Sequence, residues 1–592
     1  MIFSNLCQYF EKISQTTSRL KITELLADLF KKLSSEEIGN TVYLLQGRLG
    51  PLYEKLDFGI AEKLIIKSCV LALNIDQKLF EKKYKQIGDL GEAVFLLKKE
   101  IVSFEKRDFG INEIFNQLLR LAKASGQGSQ DFKTGLLADL IRRSDPLSGK
   151  YLVRIPLGIL RLGFSDMTVL DGLSWMISGD KSLRSKIEKD YHVRPDLGFI
   201  AKTVKDKGVD ALAKLEPKIF TPIIMMRAER LSSAEEILKK IGESAVEPKY
   251  DGFRLQIHYR KGGFENQLDE IRLFSRSLED VTYMYPDIVE GVKKEIKSDA
   301  IIFEGEAIGY NPKEKKFLPF QETVQRKRKF NINKMSKEIP LKLFVYELLY
   351  LDGKSYLNIP FRKRREVMER LINKDKDIEK NSIFLTPTEI CNNAEKINNL
   401  FDQAVNNNLE GIIAKKLGGI YQAGARGWNW IKFKQSYSSR LNDTIDGLVM
   451  GYDLGKGKRT SFGIGAFLVG IYDQKNDRFL TVAKIGTGLT DEEWKSLKVK
   501  SQRLKVKSKP ENYIVDKQMK CDVWVAPSIV VEIRADEITH SPVHTAGYAL
   551  RFPRLERFRD DKNLQEVTTL EELKKIFNYQ RTNVKDDRRR FL

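Results

Sequence analysis

Lys249 is the residue whose surroundings point most directly to covalent chemistry. It lies in the segment EPKYDG (residues 247–252), at the expected end of a strand and just before Asp251-Gly252. A lysine amine attacks an electrophile only when it is neutral, and because its ordinary pKa is about 10.4, nearby cations or desolvation must lower that pKa. The same residues would also form an ordinary charged turn, and short patterns recur by chance. The segment alone therefore leaves both interpretations open.

Two further lysines lie where they could supply such cations. In the segment WNWIKFK (428–434), strand alternation places Lys432 and Lys434 on one face and Ile431 and Phe433 on the other. The pattern indicates a strand with paired cations toward a site, but it fits an ordinary half-exposed strand equally well.

Paired acidic residues supply candidate ligands for a cation or a sugar. Glu304 and Glu306 share one face of an expected strand at 301–307. They could bind Mg²⁺ or the ribose hydroxyls of a nucleotide, and a solvent-facing acidic edge would show the same pattern. Glu410 and Lys415 lie at the two ends of another expected strand, which carries little information by itself.

Tyr346 is a candidate platform for a base. It lies in the apolar strand expected at 343–348, and an aromatic ring can stack on a purine. A core aromatic residue would fit the same position.

The cysteines and histidines form no recognised metal-binding motif. The four cysteines (Cys7, Cys69, Cys391 and Cys521) are scattered, and the four histidines have no ligand spacing. Any metal must therefore be held by carboxylates and phosphates, which suits Mg²⁺.

The elements that must position these residues change in type along the chain. Residues 1–215 are expected to be mostly helical, with apolar residues at helical spacing in 20–33, 112–122 and 132–141 and turn signals at 126–128 and 145–149. Strand alternation begins after Thr221-Pro222. In 253–260 it separates an apolar face from a polar one, Arg254, Gln256, His258 and Arg260.

The C-terminal part is expected to be rich in strands. Candidate strands lie at 448–452, 466–472 and 529–533, with a glycine- and lysine-rich hairpin loop at 455–459 and a basic tail at 587–590. Short strands over such a length favour a small barrel such as an OB-fold.

Composition limits the class of protein and of partner. The chain is 42% apolar and 10% aromatic, which predicts folded domains. It contains no apolar run of membrane-spanning length, and its first residues lack the features of a signal peptide, which predicts an intracellular protein without a membrane partner. The net charge of +21 fits either a lysine-rich solvated surface or a nucleic-acid partner.

Together these segments resemble the covalent nucleotidyltransferases, and among them the ATP-dependent DNA ligases of archaeal and eukaryotic type. Lys249-Tyr250-Asp251-Gly252 matches the Lys-x-Asp-Gly nucleophile motif of that family. The other motifs follow in the family order: LFSR at 273–276, FEGE at 303–306, EGIIAK at 410–415, YQAGAR at 421–426 with WIKFK at 430–434, and RFPR at 551–554 continuing to RDDK at 559–562. The resemblance is specific because six motifs keep order and spacing over 221–562.

The resemblance has one extension and two departures. The segments LVR (152–154) and LRLG (160–163) are similar to the helical DNA-binding domain of these ligases. Tyr346-Glu347 stands where the family usually has Phe-Asp, which moves the stacking role to a tyrosine. The interval from Arg254 to Arg276 is a few residues longer than usual.

The resemblance implies a multidomain fold and a nick-sealing reaction. We expect an all-α DNA-binding domain at 1–215, an α+β nucleotidyltransferase (adenylation) domain at 216–436 and an OB-fold β-barrel at 437–592. The implied enzyme seals nicks in duplex DNA through an AMP adduct on Lys249, in DNA replication, repair and recombination, with ATP and Mg²⁺. Catalysis would then rest mainly on positioning and electrostatics.

The resemblance also assigns roles to individual residues. Glu247 and Tyr346 would hold the adenine, and Arg254 and Glu306 would contact the ribose or phosphate. The residues implied to line the phosphates are Arg276, Lys415, Arg426, Lys432 and Lys434. Glu306 and Glu410 are implied near the metal, Arg559 and Lys562 at pyrophosphate in the first step, and Asp251 at the nucleophile.

The implied partner is nicked double-stranded DNA, bound by a monomer in the cytoplasm or nucleoid, or in the nucleus of a eukaryote. A sliding clamp is also implied by the family, although the sequence has no clear Gln-x-x-apolar-x-x-aromatic-aromatic peptide.

Other classes share part of the pattern. An RNA ligase or a capping guanylyltransferase would share the lysine motif, but the long helical N-terminal part and the form of RDDK at 559–562 argue against both. The cysteines cannot form the four-cysteine zinc site of an NAD-dependent ligase, and no P-loop is present. A non-catalytic nucleic-acid-binding protein on the same scaffold is disfavoured by the intact lysine, acids and lysine pair.

Overall fold

A computed structural model describes most of the chain: residues 1–16, 18–100, 107–262, 269–328, 330–372, 377–407, 409–434, 444–455 and 463–586. The chain divides into two compact units. The first comprises Met1–Glu229, Lys240–Asn392 and Ala414–Ile431, and the second comprises Arg230–Lys239, Asn393–Ile413 and Lys432–Leu592. Most of the hairpin loop expected at 455–459, the basic tail expected at 587–590 and the domain boundary expected at 436/437 lie outside the described residues.

The N-terminal part of the first unit is helical, as expected. Its helices are α1 (Phe3–Ser14), α2 (Arg19–Lys32), α3 (Ser35–Leu45), α4 (Glu62–Leu73), α5 (Gln77–Ile87), α6 (Leu90–Glu100), α7 (Ile111–Lys123), α8 (Ser129–Arg143), α9 (Pro146–Arg154), α10 (Asp166–Ser178), α11 (Arg184–Val193) and α12 (Leu197–Lys207). They bury one continuous apolar core of their own. Close approach of α2 and α10 is possible because Gly172 lacks a side chain that would meet Leu26 and Phe30.

The prediction of a turn at 145–149 is wrong for residues 146–149, which are helical. Asp145 is the N-cap of α9, and its carboxylate accepts hydrogen bonds from the backbone N–H groups of Leu147 and Ser148. Pro146 occupies the first helical position, where its missing N–H costs nothing. Asp-Pro therefore begins a helix here, because the acid that would favour a turn also satisfies the free amides of a helix start.

From residue 227 to residue 434 the chain is an α+β arrangement, in which Arg230–Lys239, Asn393–Ile413 and residues 432–434 belong to the second unit and the rest to the first. The strands are β1 (Arg227–Arg230), β2 (Ser244–Lys249), β3 (Phe253–Arg260), β4 (Glu270–Ser275), β5 (Ala300–Asn311), β6 (Lys316–Phe317), β7 (Leu341–Leu351), β8 (Lys354–Ser355), β9 (Ile383–Leu385), β10 (Glu389–Cys391), β11 (Gly411–Lys416) and β12 (Arg426–Lys434). One sheet has the order β4-β3-β5-β7-β8, with β6 paired to β5 and β9 paired to β7. A second sheet has the order β1-β12-β11-β2-β10.

Helices join these strands. They are α13 (Ala234–Ile241), α14 (Pro286–Glu295), α15 (Phe320–Thr323), α16 (Ile332–Glu338), α17 (Phe361–Leu371) and α18 (Ala394–Asn406). Apolar residues of β3, β5 and β7 and of α14 and α17 form a common core.

Strand β3 is buried on both faces, whereas its sequence predicts one polar face. Gln256 and His258 are fully buried. The segment before β1 covers them, since the backbone N–H of Phe220 donates to His258 Nδ1 (3.0 Å) and that of Ile223 donates to Gln256 Oε1 (2.7 Å). Burial lowers the pKa of His258 to about 3, so its imidazole is neutral at physiological pH.

The second unit is rich in strands, as expected. Its C-terminal part contains β13 (Ile445–Leu454), β14 (Ile464–Asp473), β15 (Arg478–Ile485), β16 (Lys505–Val506), β17 (Tyr513–Ile514), β18 (Val523–Val525), β19 (Val530–Arg534), β20 (Glu537–His540), β21 (Tyr548–Arg551) and β22 (Arg554–Phe558), with helices α19 (Asp491–Arg503) and α20 (Leu570–Asp586). The main sheet has the order β16-β18-β13-β14-β15-β17, β19 pairs with β13 and β22, and β20 pairs with β21.

Within the described ranges, no helix is both long enough and apolar enough to cross a membrane.

Candidate active site

The candidate nucleophile ends strand β2. Glu247 is buried two positions earlier, and Lys249 is half-buried as the last residue of the strand. The chain then passes so close to β5 that a Cβ on Gly252 would lie 2.4 Å from the backbone oxygen of Ala307. This contact explains the glycine of the Lys-x-Asp-Gly segment, because any side chain there would push the start of β3 away from β5.

Glu247 and Lys415 form a buried ion pair. Lys415 Nζ lies 2.8 Å from Glu247 Oε2, and Thr388 Oγ1 donates to Glu247 Oε1 at 3.0 Å. Burial raises the pKa of the Glu247 carboxyl above its ordinary value, although Lys415 and Arg365 oppose that shift. Glu247 is thus held by Lys415 and Thr388, and it is not a free surface group.

Aromatic rings surround the Lys415 ammonium. Its Nζ donates to the backbone oxygen of Tyr346 at 2.6 Å. It also lies 5.1 Å from the centre of the Tyr346 ring and 4.7 Å from those of Phe361 and Trp430. Tyr346 therefore lies beside the pair of Lys415 and Glu247, and its role as a ring that stacks on a base stays a prediction.

Arg254 and Glu306 are directly opposite each other in the antiparallel pair of β3 and β5. Arg254 Nη2 donates to Glu304 Oε2 at 2.8 Å. Glu304 is fully buried, so the solvent-facing edge considered for this residue is wrong, whereas Glu306 is half-buried. The two acids that share a strand face thus have different surroundings.

Two predicted phosphate ligands of the first unit lie at strand ends. Arg276 directly follows β4, and Arg426 is the first residue of β12, and both side chains are exposed. Between Tyr421 and Arg426 the chain bends at Gly424, whose φ of +64° and contact with the His192 ring exclude a side chain. An exposed cation at a strand end can bind an anion without loss of an internal partner.

In the second unit, Glu410 pairs with one of the two lysines of the predicted pair. Lys434 Nζ lies 2.5 Å from Glu410 Oε2, and Lys432 is half-buried on the same strand face, while Phe433 is buried. Gly411 has a φ of +139°, and a Cβ there would lie 2.2 Å from the backbone oxygen of Phe433. The glycine after Glu410 is therefore required by the close approach of β11 and β12.

Arg559 and Lys562 both form ion pairs with Asp446 of the second unit. Asp446 accepts from Arg559 Nη1 at 3.2 Å and from Lys562 Nζ at 2.6 Å. Arg559 also pairs with Glu532 and Asp561. The structure thus brings the two predicted pyrophosphate ligands to one carboxylate, which is a cluster that the sequence did not predict.

The residues that the structure describes hold no group of three or more His, Cys, Asp or Glu side chains arranged to bind a metal. A site with few protein ligands remains compatible with Mg²⁺, which usually keeps several waters and binds through one or two carboxylates and substrate phosphates.

The sequence analysis did not predict the buried pair of Arg364 and Glu347, which lies next to the site. Arg364 lies in the basic run at 362–365, which reads as a solvated helix face, yet it is fully buried. Its Nε and Nη2 donate to Glu347 at 2.7 and 2.9 Å, and Nη1 donates to the backbone oxygen of Gly419 at 3.0 Å. Glu347 follows Tyr346 directly, so this pair fixes the strand that carries the aromatic ring. No local signal in the sequence could have revealed so distant a pair.

We expect Arg364→Met to lower the free energy of unfolding by about 3–5 kcal/mol, because Glu347 would remain buried without its cation. Arg362→Met, an exposed arginine of the same helix, is the matched control and should change stability by less than about 0.5 kcal/mol. Urea unfolding of both variants measures the difference. Equal stabilities would show that the Glu347 pair does not hold the strand.

Comparison with known proteins gives matches along the whole chain. Residues 2–174 match the family model "DNA ligase N terminus", 225–434 match "ATP dependent DNA ligase domain", and 460–562 match "ATP dependent DNA ligase C terminal region". A "Probable DNA ligase" of Dictyoglomus thermophilum is 46% identical over 596 residues, which cover 99% of each chain. The DNA ligase of Saccharolobus solfataricus is 40% identical over 602 residues, which cover 98% of each chain.

Solved structures are also similar to this chain over most of its length. Pmar-Lig_PreS3 is 16% identical, with a TM-score of 0.53 over 94% of this chain and 99% of that one. At this identity the likeness concerns the fold. It supports the order of a helical part, an α/β part and a β-rich part.

Proposed function

The chain belongs to the ATP-dependent DNA ligases, and from this premise we propose that it seals nicks in duplex DNA through an AMP adduct on Lys249. The observation that carries the proposal is the position of Lys249. It ends β2 two residues beyond Glu247, whose buried partner Lys415 lies against the Tyr346 ring.

The proposed reaction has three balanced steps. The neutral amine of Lys249 attacks the α-phosphorus of ATP, which forms a P–N bond and releases pyrophosphate. The 5′-phosphate at the nick then attacks the same phosphorus, takes over AMP and returns the amine. The 3′-hydroxyl finally attacks the 5′-phosphorus, the phosphodiester forms and AMP leaves. Each step moves charge at phosphorus, so the residues act mainly by positioning and electrostatics.

In the first unit we propose that Glu247 and Tyr346 hold the adenine and that Arg254 and Glu306 contact the ribose or phosphate. The stacking role of Tyr346 is supported by its place among Trp430, Arg254 and Lys415. Asp251 would orient the amine of Lys249.

We further propose that a set of cations binds the phosphates: Arg276, Lys415, Arg426, Lys432 and Lys434. The side chains of Arg276 and Arg426 are exposed, which supports their proposed role in binding phosphate. Lys415 forms a buried pair with Glu247. We therefore expect it to contact the phosphate of the nucleotide that lies nearest to Glu247.

We propose Glu306 and Glu410 as the protein carboxylates that would hold Mg²⁺, since carboxylate oxygens are among its usual ligands. When bound, it would offset the charge that develops on the phosphate oxygens. Glu410 is paired with Lys434 in this structure. To bind Mg²⁺, its carboxylate would either release Lys434 or contact Lys434 and the metal together.

The C-terminal β-rich part is proposed to be the OB-fold domain of the enzyme, and the domain limits of 1–215, 216–436 and 437–592 remain proposals. Arg559 and Lys562 would orient pyrophosphate in the first step. Since both are paired with Asp446 here, pyrophosphate would compete with that carboxylate for them.

The test of the proposal is incubation with α-labelled ATP and Mg²⁺ followed by denaturing electrophoresis. The proposal predicts a label that survives denaturation and that moves to nicked DNA when nicks are added. Labelling by GTP instead would indicate a guanylyltransferase, and labelling by NAD would indicate the other class of DNA ligase. No label with any nucleotide would leave a nucleic-acid-binding protein on the same scaffold.

We propose that the helical N-terminal part clamps the nicked duplex through phosphates, as its match to the DNA ligase N terminus supports. Arg154 cannot be one of the contacts as it stands, because it is buried and lies 3.1 Å from Asp89. Arg161 is about half exposed and shares the same acid. Phosphate contacts fix position without reading sequence, which suits an enzyme that acts at any nick.

A chain that begins at Thr221 should therefore lose most of its affinity for a nick. It should keep much of its self-adenylylation, because the helical part and the sheet of β3, β5 and β7 have separate cores. The log–log slope of affinity against salt should flatten by about 0.9 for each lost phosphate contact. Filter binding of both chains across a salt series, with a thermal melt to check folding, measures this. Equal affinities and slopes would mean that the helical part is not the clamp.

The biological setting completes the proposal. We propose a monomer that acts inside the cell in DNA replication, repair and recombination, in the cytoplasm or nucleoid of a prokaryote. A sliding clamp is proposed as a partner, and its docking segment is not assigned.

A further inference from the structure

Glu304 lies at the centre of a buried polar network that none of the proposed roles uses. Its side chain is fully buried, and its carboxylate accepts from three different side chains. These are Arg254 Nη2 at 2.8 Å, Gln256 Nε2 at 3.0 Å and Tyr421 Oη at 3.0 Å. A buried carboxylate with so complete a set of donors is held in one orientation.

The network is anchored to the backbone that precedes β1. Tyr421 Oη accepts from the N–H of Met226 at 2.9 Å, and Gln256 both accepts from Ile223 N at 2.7 Å and donates to Ile223 O at 3.1 Å. Tyr421 thus bridges the backbone of Met226 and the carboxylate of Glu304. Because Tyr421 and Gln256 are each held at two points, they cannot turn without loss of a buried hydrogen bond.

Arg254 is the member of the network that reaches the site. Its Nη1 donates to the backbone oxygen of Met226 at 2.6 Å. Its guanidinium carbon lies 5.8 Å from the centre of the Tyr346 ring and 5.4 Å from that of Trp430. Glu304 therefore determines how a guanidinium is presented beside the ring that is proposed to bind adenine.

We propose that Glu304, held in place by Tyr421 and Gln256, is a positioning residue that orients Arg254 toward the bound nucleotide. This inference rests on the proposed function, in which Arg254 contacts the ribose or phosphate of ATP. It gives Tyr421 a role of its own within the segment YQAGAR, separate from that of Arg426.

The test compares the KM for ATP in self-adenylylation with kcat. Glu304→Gln keeps the shape but removes the charge, and Tyr421→Phe removes one donor. We expect Glu304→Gln to raise the KM by about 10-fold and Tyr421→Phe by about 3-fold, because a hydrogen bond to a charged group is lost or weakened. The kcat should change by less than about 3-fold, since a correctly folded site still attacks once ATP is bound.

Matched controls separate this role from general damage. Glu295→Gln removes another buried carboxylate, which accepts from the backbone of Ser382 and Ile383. Tyr310→Phe removes another tyrosine-to-carboxylate hydrogen bond, to Glu379. Both controls should leave the KM unchanged. A merely structural role for Glu304 would lower kcat through the active fraction and leave the KM unchanged.

A double-mutant cycle with Arg254→Gln decides whether Glu304 acts through Arg254. In that background, Glu304→Gln should change the KM by less than about 2-fold, because the group that it positions is absent. Independent, multiplying effects would overturn the inference. So would a Tyr421→Phe variant with an unchanged KM.

Failure of this inference is distinguishable from failure of the proposed function. If Lys249 carries the label but the Glu304 and Arg254 effects multiply, only the positioning role is lost. If no covalent label forms on the unmodified chain, the proposed function is lost first.

Discussion

Lys249→Ala is expected to abolish self-adenylylation, with a loss of more than about 10⁴-fold, because the variant has no amine to form the P–N bond. Sealing of an ordinary nick should be lost to the same extent. The variant should still seal a nick whose 5′-phosphate already carries AMP, since the last step uses the 3′-hydroxyl as nucleophile. Labelled gel assays of the three activities measure these rates.

The matched control for this variant is Lys240→Ala. Lys240 lies in the last turn of α13, 4.2 Å from the centre of the Trp428 ring, and the proposal gives it no part in the reaction. It should keep all three activities. Retained labelling of Lys249→Ala would show that another residue is the nucleophile.

The second large effect is expected at the cluster around Asp446. Arg559→Ala should slow formation of the AMP adduct by about 100-fold, because a charge-bearing donor to pyrophosphate is lost. Sealing of a pre-adenylylated nick should fall by less than about 3-fold, since pyrophosphate has already left in that step. Lys562→Ala should show the same division between the two assays.

Arg557→Ala is the control for these variants. Arg557 lies on β22, which ends one residue before Arg559, and it pairs with Glu532, one of the partners of Arg559, but its side chain is mostly exposed. It should have little effect on either step. Equal losses in both assays for Arg559→Ala would mean that its role is not confined to the first step.

Much of the fold could be predicted from the sequence because alternation and helical spacing are local properties. The strands that carry Lys249, Glu306, Tyr346 and Lys434 were all expected. Their order in two sheets was not, since strand pairing depends on long-range packing that no local pattern encodes.

The burial of polar groups was the main error of the sequence analysis. Gln256 and His258 on β3 and Glu304 on β5 have the alternation typical of a solvated face. They are buried because the chain around residues 220–226 covers them and supplies partners from distant positions. The same holds for Arg364, whose partner Glu347 lies in another element.

The sequence predicts candidate residues for the site but not the contacts between them. The pair of Glu247 with Lys415 joins two motifs that are far apart in the chain, and Asp446 joins Arg559 with Lys562. Ordered motifs indicate which residues act together, whereas the distances and charges that connect them come only from the folded chain.

The central claim is that AMP becomes covalently attached to Lys249. Its most direct test is tandem mass spectrometry of proteolytic peptides after incubation of the full chain with ATP and Mg²⁺, before any DNA is added. The account predicts AMP on the peptide that contains residues 247–252, with the fragment ions placing it on Lys249, and its disappearance when nicked DNA is supplied. AMP on a different residue, or nucleotide that is lost completely on denaturation, would contradict the account.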